Sequence, residues 1–357
     1  MRIKSLKINN LRNIGDAGID AHPRLNLLLG DNGAGKTSVL EALIVLAKGR
    51  SFRSPRIAAL IGPEGPALRV VAEIESDDGH AHRLGLERSR SGWRARRDGE
   101  TVQRFSTLGH DLPLVLMEPD SHELVAGAPE TRRRHLDWGV FHVEPRFLDT
   151  WRRYERALRQ RNAALRRGEA ALLDALDRQL LESGEALGAQ RRKQAEQLAE
   201  RLGELLPRLG PELPTITVDY HPGHADTGFA PDLAAHRKRD LERGQTQVGP
   251  HRADLVMRTE PGLARDRLSR GEQKVLAAAL LLAQAELLAE GGKAPVLLLD
   301  DLASELDLGH QARVLGWGLE RGWQTWVTGT GRLEALREQA PEHALFHVEH
   351  GAIEARR

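Results

Sequence analysis

A glycine-rich segment with one lysine and one threonine is the part of this sequence best suited to bind phosphate. Residues 30–38 read GDNGAGKTS, which fits the pattern G-x-x-x-x-G-K-[ST] between an apolar run and a stretch of helical periodicity. Glycines let backbone N–H groups close around a polyphosphate at a helix N-terminus. Lys36 suits the β- and γ-phosphates, and the Thr37 hydroxyl suits Mg²⁺. The residues predicted to bind a nucleoside triphosphate are Gly30, Asp31, Asn32, Gly33, Ala34, Gly35, Lys36, Thr37 and Ser38.

A second segment could hold the metal ion that accompanies the phosphates. Residues 296–301 form an apolar run that ends in Asp300 and Asp301, the shape of a Walker B strand. A carboxylate at the end of such a strand can bind Mg²⁺ beside a phosphate loop. Alone, the run is more typical of a core strand followed by an acidic turn. Its neighbours, residues 268–273 before it and 304–307 after it, favour the metal-binding interpretation.

The segment that contains Ser269, Gly271 and Gln273 resembles a second anion site. A hydroxyl and a glycine stand at the start of a predicted helix, where the helix dipole favours negative charge. Ser269-x-x-Glu272 also fits a capping box, so the segment serves as a helix cap, an anion site or both. Because the chain already has one phosphate loop, this segment would need a triphosphate that it shares.

Composition excludes several classes of function. The chain has 357 residues and no cysteine, so disulfides, thiolate metal sites and thiol catalysis are excluded. Its 14 aromatic residues argue against aromatic stacking as the main means of ligand binding. A net charge of +1 means that any basic surface is local. No apolar run has the length of a membrane span and no signal peptide is evident, so we expect a cytoplasmic protein.

The order of predicted elements indicates an α/β fold interrupted by a helical insertion. Strands are predicted before the phosphate loop and around a hairpin at Asp98-Gly99, and again in the last hundred residues. Between residues 130 and 206 the spacing is helical, and the predicted helices are too short for a coiled coil. The predicted domains are residues 1–119, 120–210 and 211–357, of which the first and third form one nucleotide-binding domain.

Two arginine clusters are candidates for contact with nucleic acid. Neighbouring strands would bring the hairpin arginines to one surface, where phosphate contact is independent of sequence. A run of three arginines opens the helical insertion, although charge runs are usually solvated faces. The candidates are Arg94, Arg96 and Arg97 in the hairpin, and Arg132, Arg133 and Arg134 in the insertion.

Taken in order, these motifs resemble the ABC-type ATPase heads, and among them the RecF family. The motifs follow as phosphate loop, long insertion, L-S-x-G-x-Q signature, Walker B strand and S-x-L-D, and the similarity covers nearly the whole chain. The segments that carry it are residues 11–14, 30–38, 49–54, 132–137, 249–252, 269–274 and 299–301. The resemblance implies a P-loop NTPase head with an inserted helical arm.

The resemblance also implies a function. Such proteins bind ATP and Mg²⁺ and dimerise around two ATP molecules on gapped or junction DNA. They bind duplex DNA and single-strand/double-strand junctions, and they hydrolyse ATP slowly, with stimulation by DNA. With RecR and RecO they help to load RecA. Each composite site would pair Lys36 and Thr37 of one protomer with Ser269, Gly271 and Gln273 of the other. Asp300 would bind the metal ion, and Asp301 would position the attacking water.

The sequence departs from the family pattern at several positions, and two other classes of function are alternatives. Most ABC heads have Glu where Asp301 stands, and the shorter carboxylate suggests slow hydrolysis. Glu118 or Asp120 lies where a Q-loop Gln is expected, and Thr328 and Thr330 lie where many relatives have a switch His. The alternatives are the engine subunit of another ABC-type assembly, such as a transporter, and a P-loop kinase. The signature segment has no role in a kinase, and the long insertion disfavours a transporter.

Overall fold

The computed structural model describes residues 1–330 and 342–356, which form two compact units. The head unit comprises Met1–Ser121, Arg208–Gly210 and Gln284–Arg357, and the second unit comprises His122–Pro207 and Pro211–Ala283. The first boundary lies two residues from the predicted one. Residues 211–283, which the sequence assigns to the nucleotide-binding domain, instead pack with the helical residues. The signature segment therefore belongs to the second unit.

The described strands follow the chain in this order: β1 Arg2–Leu11, β2 Ile14–Asp20, β3 Leu25–Leu29, β4 Ala67–Glu75, β5 Ala81–Ser89, β6 Trp93–Arg97, β7 Glu100–Thr101, β8 Leu114–Met117, β9 Thr217–His221, β10 Asp254–Thr259, β11 Gly262–Leu263, β12 Val296–Leu299, β13 Thr325–Gly329, β14 Ala344–Glu349 and β15 Ala352–Arg356.

The described α-helices are α1 Lys36–Lys48, α2 Ser106–Asp111, α3 Glu123–Ala126, α4 Pro129–Val143, α5 Phe147–Arg167, α6 Leu173–Leu209, α7 Phe229–Arg243, α8 Ala264–Arg267, α9 Arg270–Glu290, α10 Leu302–Glu305 and α11 Leu308–Glu320. Among the described residues, no helix combines the length and the apolar character that a membrane span requires.

Two six-stranded sheets build the head unit. One has the order β2-β1-β4-β5-β6-β7, and its strands alternate buried and exposed side chains, as expected for an antiparallel sheet with one solvated face. The other has the order β15-β14-β3-β13-β12-β8 and is parallel from β14 to β8. All four residues of β12 are buried, which is typical of parallel strands that are covered on both faces. Helix α1 follows β3 of the parallel sheet and precedes β4 of the antiparallel sheet. It shares one hydrophobic core with both sheets.

The second unit combines α3–α8, most of α9 and a three-stranded antiparallel sheet of order β11-β10-β9. One apolar cluster of this unit joins α5, α6 and α7 through Tyr154, Leu187 and Phe229. The prediction that the helices of the insertion are short is wrong for α6, which runs for 37 residues. Its glycines do not end it, because leucines at helical spacing stay buried along its length, and Pro207 falls in its last turn.

Candidate nucleotide site

The phosphate loop has a backbone that only glycine adopts easily. Gly30 has φ +159° and Gly35 has φ +120°, and a Cβ added to Gly30 would lie 2.1 Å from the Val348 carbonyl oxygen. Gly35 precedes α1 without any side-chain cap, so the first N–H groups of α1 receive no side-chain acceptor. An uncapped helix start of this kind is suited to an anion.

The outer side of the loop is fixed by Asn13 and Gly351. The Asn13 amide donates to the carbonyls of Gly33 (3.2 Å) and Ala34 (3.0 Å), and Gly351 N donates to the Ala34 carbonyl at 2.8 Å. Ser38, predicted to contact the nucleotide, is buried, and its hydroxyl lies 3.4 Å from Asn13 Oδ1. Asn13 and Ser38 thus position the loop, whereas Asp31, Asn32 and Gly33 are exposed.

Lys36 closes the loop from within. Its ammonium donates to the carbonyls of Gly30 and Asp31, each at 2.8 Å. Burial lowers the pKa of Lys36, while the carboxylates of Asp301, Asp300 and Asp31 act in the opposite direction. A lysine held in this way can exchange its two carbonyl partners for phosphate oxygens without a large movement.

Asp300 connects the carboxylate strand to the phosphate loop. Its Oδ1 accepts hydrogen bonds from the Thr37 hydroxyl at 2.9 Å and from the Thr328 hydroxyl at 2.6 Å. Burial raises the pKa of Asp300, and these two hydrogen bonds oppose the rise. Thr328, one of two threonines in the region where the resemblance predicts a switch histidine, orients the predicted metal ligand through this hydrogen bond.

Asp301 stands at the start of α10 with a left-handed backbone, φ +47°. Its N–H donates to Thr328 Oγ1 at 2.9 Å, and its carboxylate accepts from Ser304 Oγ at 2.7 Å. The carboxylate is partly exposed, unlike that of Asp300. The two adjacent carboxylates therefore have different surroundings, which fits the predicted division between metal binding and water positioning.

The oxygen ligands beside the loop fit Mg²⁺. Thr37 offers a hydroxyl and Asp300 a carboxylate, and Mg²⁺ is usually held by one or two carboxylates together with phosphate oxygens and waters. In the part of the chain that the structure describes, no three or more His, Cys, Asp or Glu side chains form a group that could hold a metal ion.

Glu118 follows β8, the parallel strand beside β12, in the region where the resemblance to ABC heads predicts a Q-loop glutamine. Asp300 N donates to the Met117 carbonyl at 2.8 Å, which places Glu118 beside the Asp300 end of β12. Burial raises the pKa of Glu118 to about 7, with Asp120 and Asp300 contributing and Lys48 opposing. Burial also lowers the pKa of Lys48 to about 8. This pair brings ionisable groups that titrate near neutral pH to the site.

Sequence reasoning missed a buried ion pair behind the loop. Glu41 on α1 is fully buried and accepts two hydrogen bonds from the Arg12 guanidinium, at 2.7 and 2.8 Å, and one from the Ser51 hydroxyl. A single carboxylate among the apolar residues of α1 was the available signal, because a buried charge needs a partner. The pair ties the β1–β2 turn to the helix that follows the phosphate loop.

The signature segment forms a complete capping box. Ser269 N donates to Glu272 Oε2 at 2.7 Å, and Glu272 N donates to Ser269 Oγ at 3.3 Å. Ser269 and Gly271 are exposed, and nothing lies within 4 Å of a Cβ added to Gly271. Gln273, predicted to contact the nucleotide, instead points inward and donates to the carbonyls of Arg265 and Leu268. It positions the loop before the helix.

Only part of the predicted DNA surface lies on one face. Strand alternation places Arg94 and Arg96 on the exposed side of β6, opposite the buried Ala95. Arg97 lies on the other side, where its Nε is 2.7 Å from Asp111 Oδ2. The predicted grouping of three arginines is therefore wrong for Arg97, because neighbouring strand residues face opposite ways.

The arginine run at the start of α4 is mostly structural. Arg132 is only 4% exposed and makes a two-pronged ion pair with Asp254, with Nε–Oδ1 2.7 Å and Nη2–Oδ2 3.0 Å. Arg133 donates to the Ala253 carbonyl at 2.7 Å. Arg134 is exposed and pairs with Glu130 one turn away. The prediction that Arg132 contacts DNA is therefore wrong.

The chain is similar to known proteins along its whole length. The family model described as "RecF/RecN/SMC N terminal domain" matches residues 2–328. The "DNA replication and repair protein RecF" of Stenotrophomonas maltophilia (strain R551-3) is 46% identical, over 99% of this chain and 100% of the relative. The protein of that name from Xanthomonas euvesicatoria pv. vesicatoria (strain 85-10) is 44% identical, over 99% and 98%.

Solved structures show the same fold. The structure described as "the recombination mediator protein RecF-ATP in RecFOR pathway" matches with a TM-score of 0.89 at 24% identity, over 100% of this chain and 98% of that one. An Smc head domain from Pyrococcus furiosus matches with a TM-score of 0.58 at 14% identity, over 99% and 96%. The fold is that of an ABC/SMC-type ATPase head, and neither the transporter nor the kinase alternative is supported. The chain belongs to the RecF family of DNA replication and repair proteins.

Proposed function

We propose that this chain is an ATP-dependent DNA-binding protein of recombinational repair and replication restart. ATP and Mg²⁺ bind at the phosphate loop, and slow hydrolysis, stimulated by DNA, acts as a release switch. The observation that carries this proposal is the contact of the Thr37 hydroxyl with Asp300, which joins a phosphate loop to a metal carboxylate. By analogy with the relatives named for the RecFOR pathway, RecR and RecO are its partners and RecA loading is its output.

ATP also drives dimerisation in this proposal. The phosphate loop holds the triphosphate of one protomer, while Ser269 and Gly271 of the other close on the γ-phosphate. Both residues are exposed at the start of a 21-residue helix, which suits an anion. A twofold arrangement gives each signature segment a ligand without a second phosphate loop. ADP lacks the γ-phosphate, so it cannot connect the two faces.

In this proposal the protein binds gapped or junction DNA through basic side chains that contact phosphate. Arg94 and Arg96, on the exposed face of the antiparallel sheet, are the supported contacts from the hairpin. Contacts of this kind position the protein on DNA without reading its sequence.

Molar mass measured by light scattering tests the composite site. We expect a monomer with ADP, partial dimer with ATP, and stable dimer when the Asp301→Asn variant is given ATP. The Ser269→Arg variant places a bulky cation in the interface and should remain monomeric while it still binds ATP. Dimerisation that is indifferent to nucleotide, or a Ser269→Arg variant that dimerises with ATP, would refute the proposal. ATP turnover with and without duplex DNA tests the proposed stimulation.

A further inference from the structure

The exposed face of α5 carries a stripe of six arginines. Buried and exposed residues of this helix separate cleanly: Phe147, Tyr154 and Leu158 pack into the core, and Arg161 is fully buried on the same side. At 100° per residue, the remaining arginines fall on the opposite half of the helix. This α5 stripe consists of Arg152, Arg153, Arg156, Arg159, Arg166 and Arg167.

Few carboxylates neutralise the α5 stripe. Arg152, Arg159 and Arg167 each have one loose partner that is at least partly exposed, at 3.8 Å from Asp149, 3.5 Å from Glu155 and 3.9 Å from Glu169. Such pairs contribute little in water. Arg156 lies four residues after Arg152 and three before Arg159, spacings at which like charges destabilise a helix. A bound polyanion would relieve this repulsion.

The exposed face of α6 differs from the α5 stripe in the signs of its charges. A stripe of arginines is therefore not a general property of the exposed helices of this unit. Along α6 the exposed charges are of both signs, with acidic residues on both sides of a basic pair. These residues are Glu182, Glu185, Arg192, Lys193, Glu196 and Glu200. A mixed face of this kind is typical of a surface that only meets water.

The basic surface continues beyond α5 at one end. A Cβ added to Gly244, the residue after α7, would lie 3.0 Å from Arg166 Cγ, so the last turn of α7 adjoins the end of the stripe. Arg243, in that last turn, is exposed. The C-terminal ends of both helices meet here, and their dipoles also favour cations at that point.

We propose that the α5 stripe binds the sugar–phosphate backbone of duplex DNA, as a second contact surface besides the hairpin. From Arg152 to Arg167 the stripe extends for about 22 Å, which is the length of about six base pairs along the axis of a DNA duplex. Arginine suits phosphate because its planar group donates two parallel hydrogen bonds. Because the opposite half of α5 is buried, the contact is along the backbone and carries no base specificity. This inference rests on the DNA-binding function proposed above.

The test compares two triple variants of the full-length protein on a 30-base-pair duplex with ATP present. The first replaces Arg153, Arg156 and Arg166 with Gln. The control replaces three exposed basic residues of α6, Arg178, Arg192 and Lys193, with Gln. Affinity is measured by fluorescence anisotropy between 50 and 200 mM salt, and thermal unfolding verifies that both variants are folded.

We expect the α5 variant to lose about ten- to a hundredfold in affinity, and its slope of log affinity against log salt to flatten by about 2.7, or 0.9 for each lost contact. The control should keep the parent slope, and Lys at the three α5 positions should restore most of the binding. An unchanged slope in the α5 variant, as expected if the stripe serves an acidic protein, overturns the inference. Equal losses in both variants overturn it as well. If the unaltered protein does not bind duplex at all, the proposed function itself fails.

Discussion

Two helix starts, those of α1 and α9, carry the glycine-containing motifs that the sequence predicts to bind phosphate, and they differ in how their N–H groups are used. The start of α1 has no side-chain cap and no acidic residue in its first turn. The start of α9 is closed by a reciprocal pair of hydrogen bonds between Ser269 and Glu272. The α1 start is therefore ready for an anion, whereas the α9 start must give up part of its own cap to accept one. A glycine-containing motif at a helix start does not by itself show that its donors are available.

The largest effect is expected at α1. Lys36→Ala removes the only side-chain cation of the loop and should weaken ATP binding about a thousandfold, since hydrogen bonds to charged groups contribute about 1.5–3 kcal/mol each. Lys36→Arg keeps the charge and should retain much of the affinity while misplacing the γ-phosphate. Nucleotide titration of both variants measures this. Parent-like affinity in the alanine variant would mean that the α1 start does not hold the triphosphate.

ATP hydrolysis should also depend on the nucleotide site at the start of α1. Asp301→Asn removes the partly exposed carboxylate but leaves Asp300 and its two threonine partners in place. We expect ATP and Mg²⁺ binding to persist and turnover to fall by about a hundredfold, the usual scale for loss of a group that assists proton transfer. A phosphate-release assay beside a binding titration separates the two. Normal turnover would assign water positioning to another residue.

A pH profile sharpens the contrast, because the half-buried carboxyl of Glu118, beside Asp300, has a pKa near neutrality. The folded-state pKa of Glu118, about 7, lies above its ordinary value of 4.5. The folded protein therefore binds more protons than the unfolded chain between these values, and the free energy of unfolding should fall by about 2–3 kcal/mol as pH rises from 4.5 to 7. Glu118→Gln, which stays neutral, should flatten that part of the profile in urea unfolding. An identical profile in both proteins would contradict the assignment.

The smallest effect is expected at α9. Glu272→Ala opens the capping box and should lower the free energy of unfolding by about 1 kcal/mol, while monomeric ATP binding at the phosphate loop stays unchanged. Glu272→Gln keeps an acceptor for Ser269 N and serves as the matched control. Denaturant unfolding and nucleotide titration give the two quantities. If the alanine variant lost ATP affinity as a monomer, the two helix starts would not act independently.

The sequence predicted best those structural elements that depend on a few adjacent residues. The phosphate loop, the Asp98-Gly99 hairpin and the apolar strand before Asp300 depend on short patterns, and the structure confirms these elements. The contacts of Asp300 with Thr37 and Thr328 depend on sheet order, which no local pattern shows. Asn13 acts across 20 residues of sequence in the same way.

Charge was the hardest property to interpret. Arg132 belongs to a run that looks solvated, but its partner Asp254 lies 122 residues later, so only the folded chain shows that the guanidinium is buried. Glu41 presents the same problem, since Arg12 and Ser51 reach it from either side of the phosphate loop. The period of a helix predicts which side is apolar, but it does not show which charged residue will find a buried partner.

The strand order has a consequence for synthesis on the ribosome. Strand β3, of sequence LNLLL, pairs with β13 and β14, and β13 begins 296 residues after β3 ends (Leu29 to Thr325). At about 5–20 residues per second, this apolar strand leaves the ribosome roughly 15–60 s before its neighbours exist. Nascent chains and C-terminal truncations that stop before residue 325 therefore expose both edges of β3. Such products should aggregate or bind chaperones, even though they contain the entire phosphate loop.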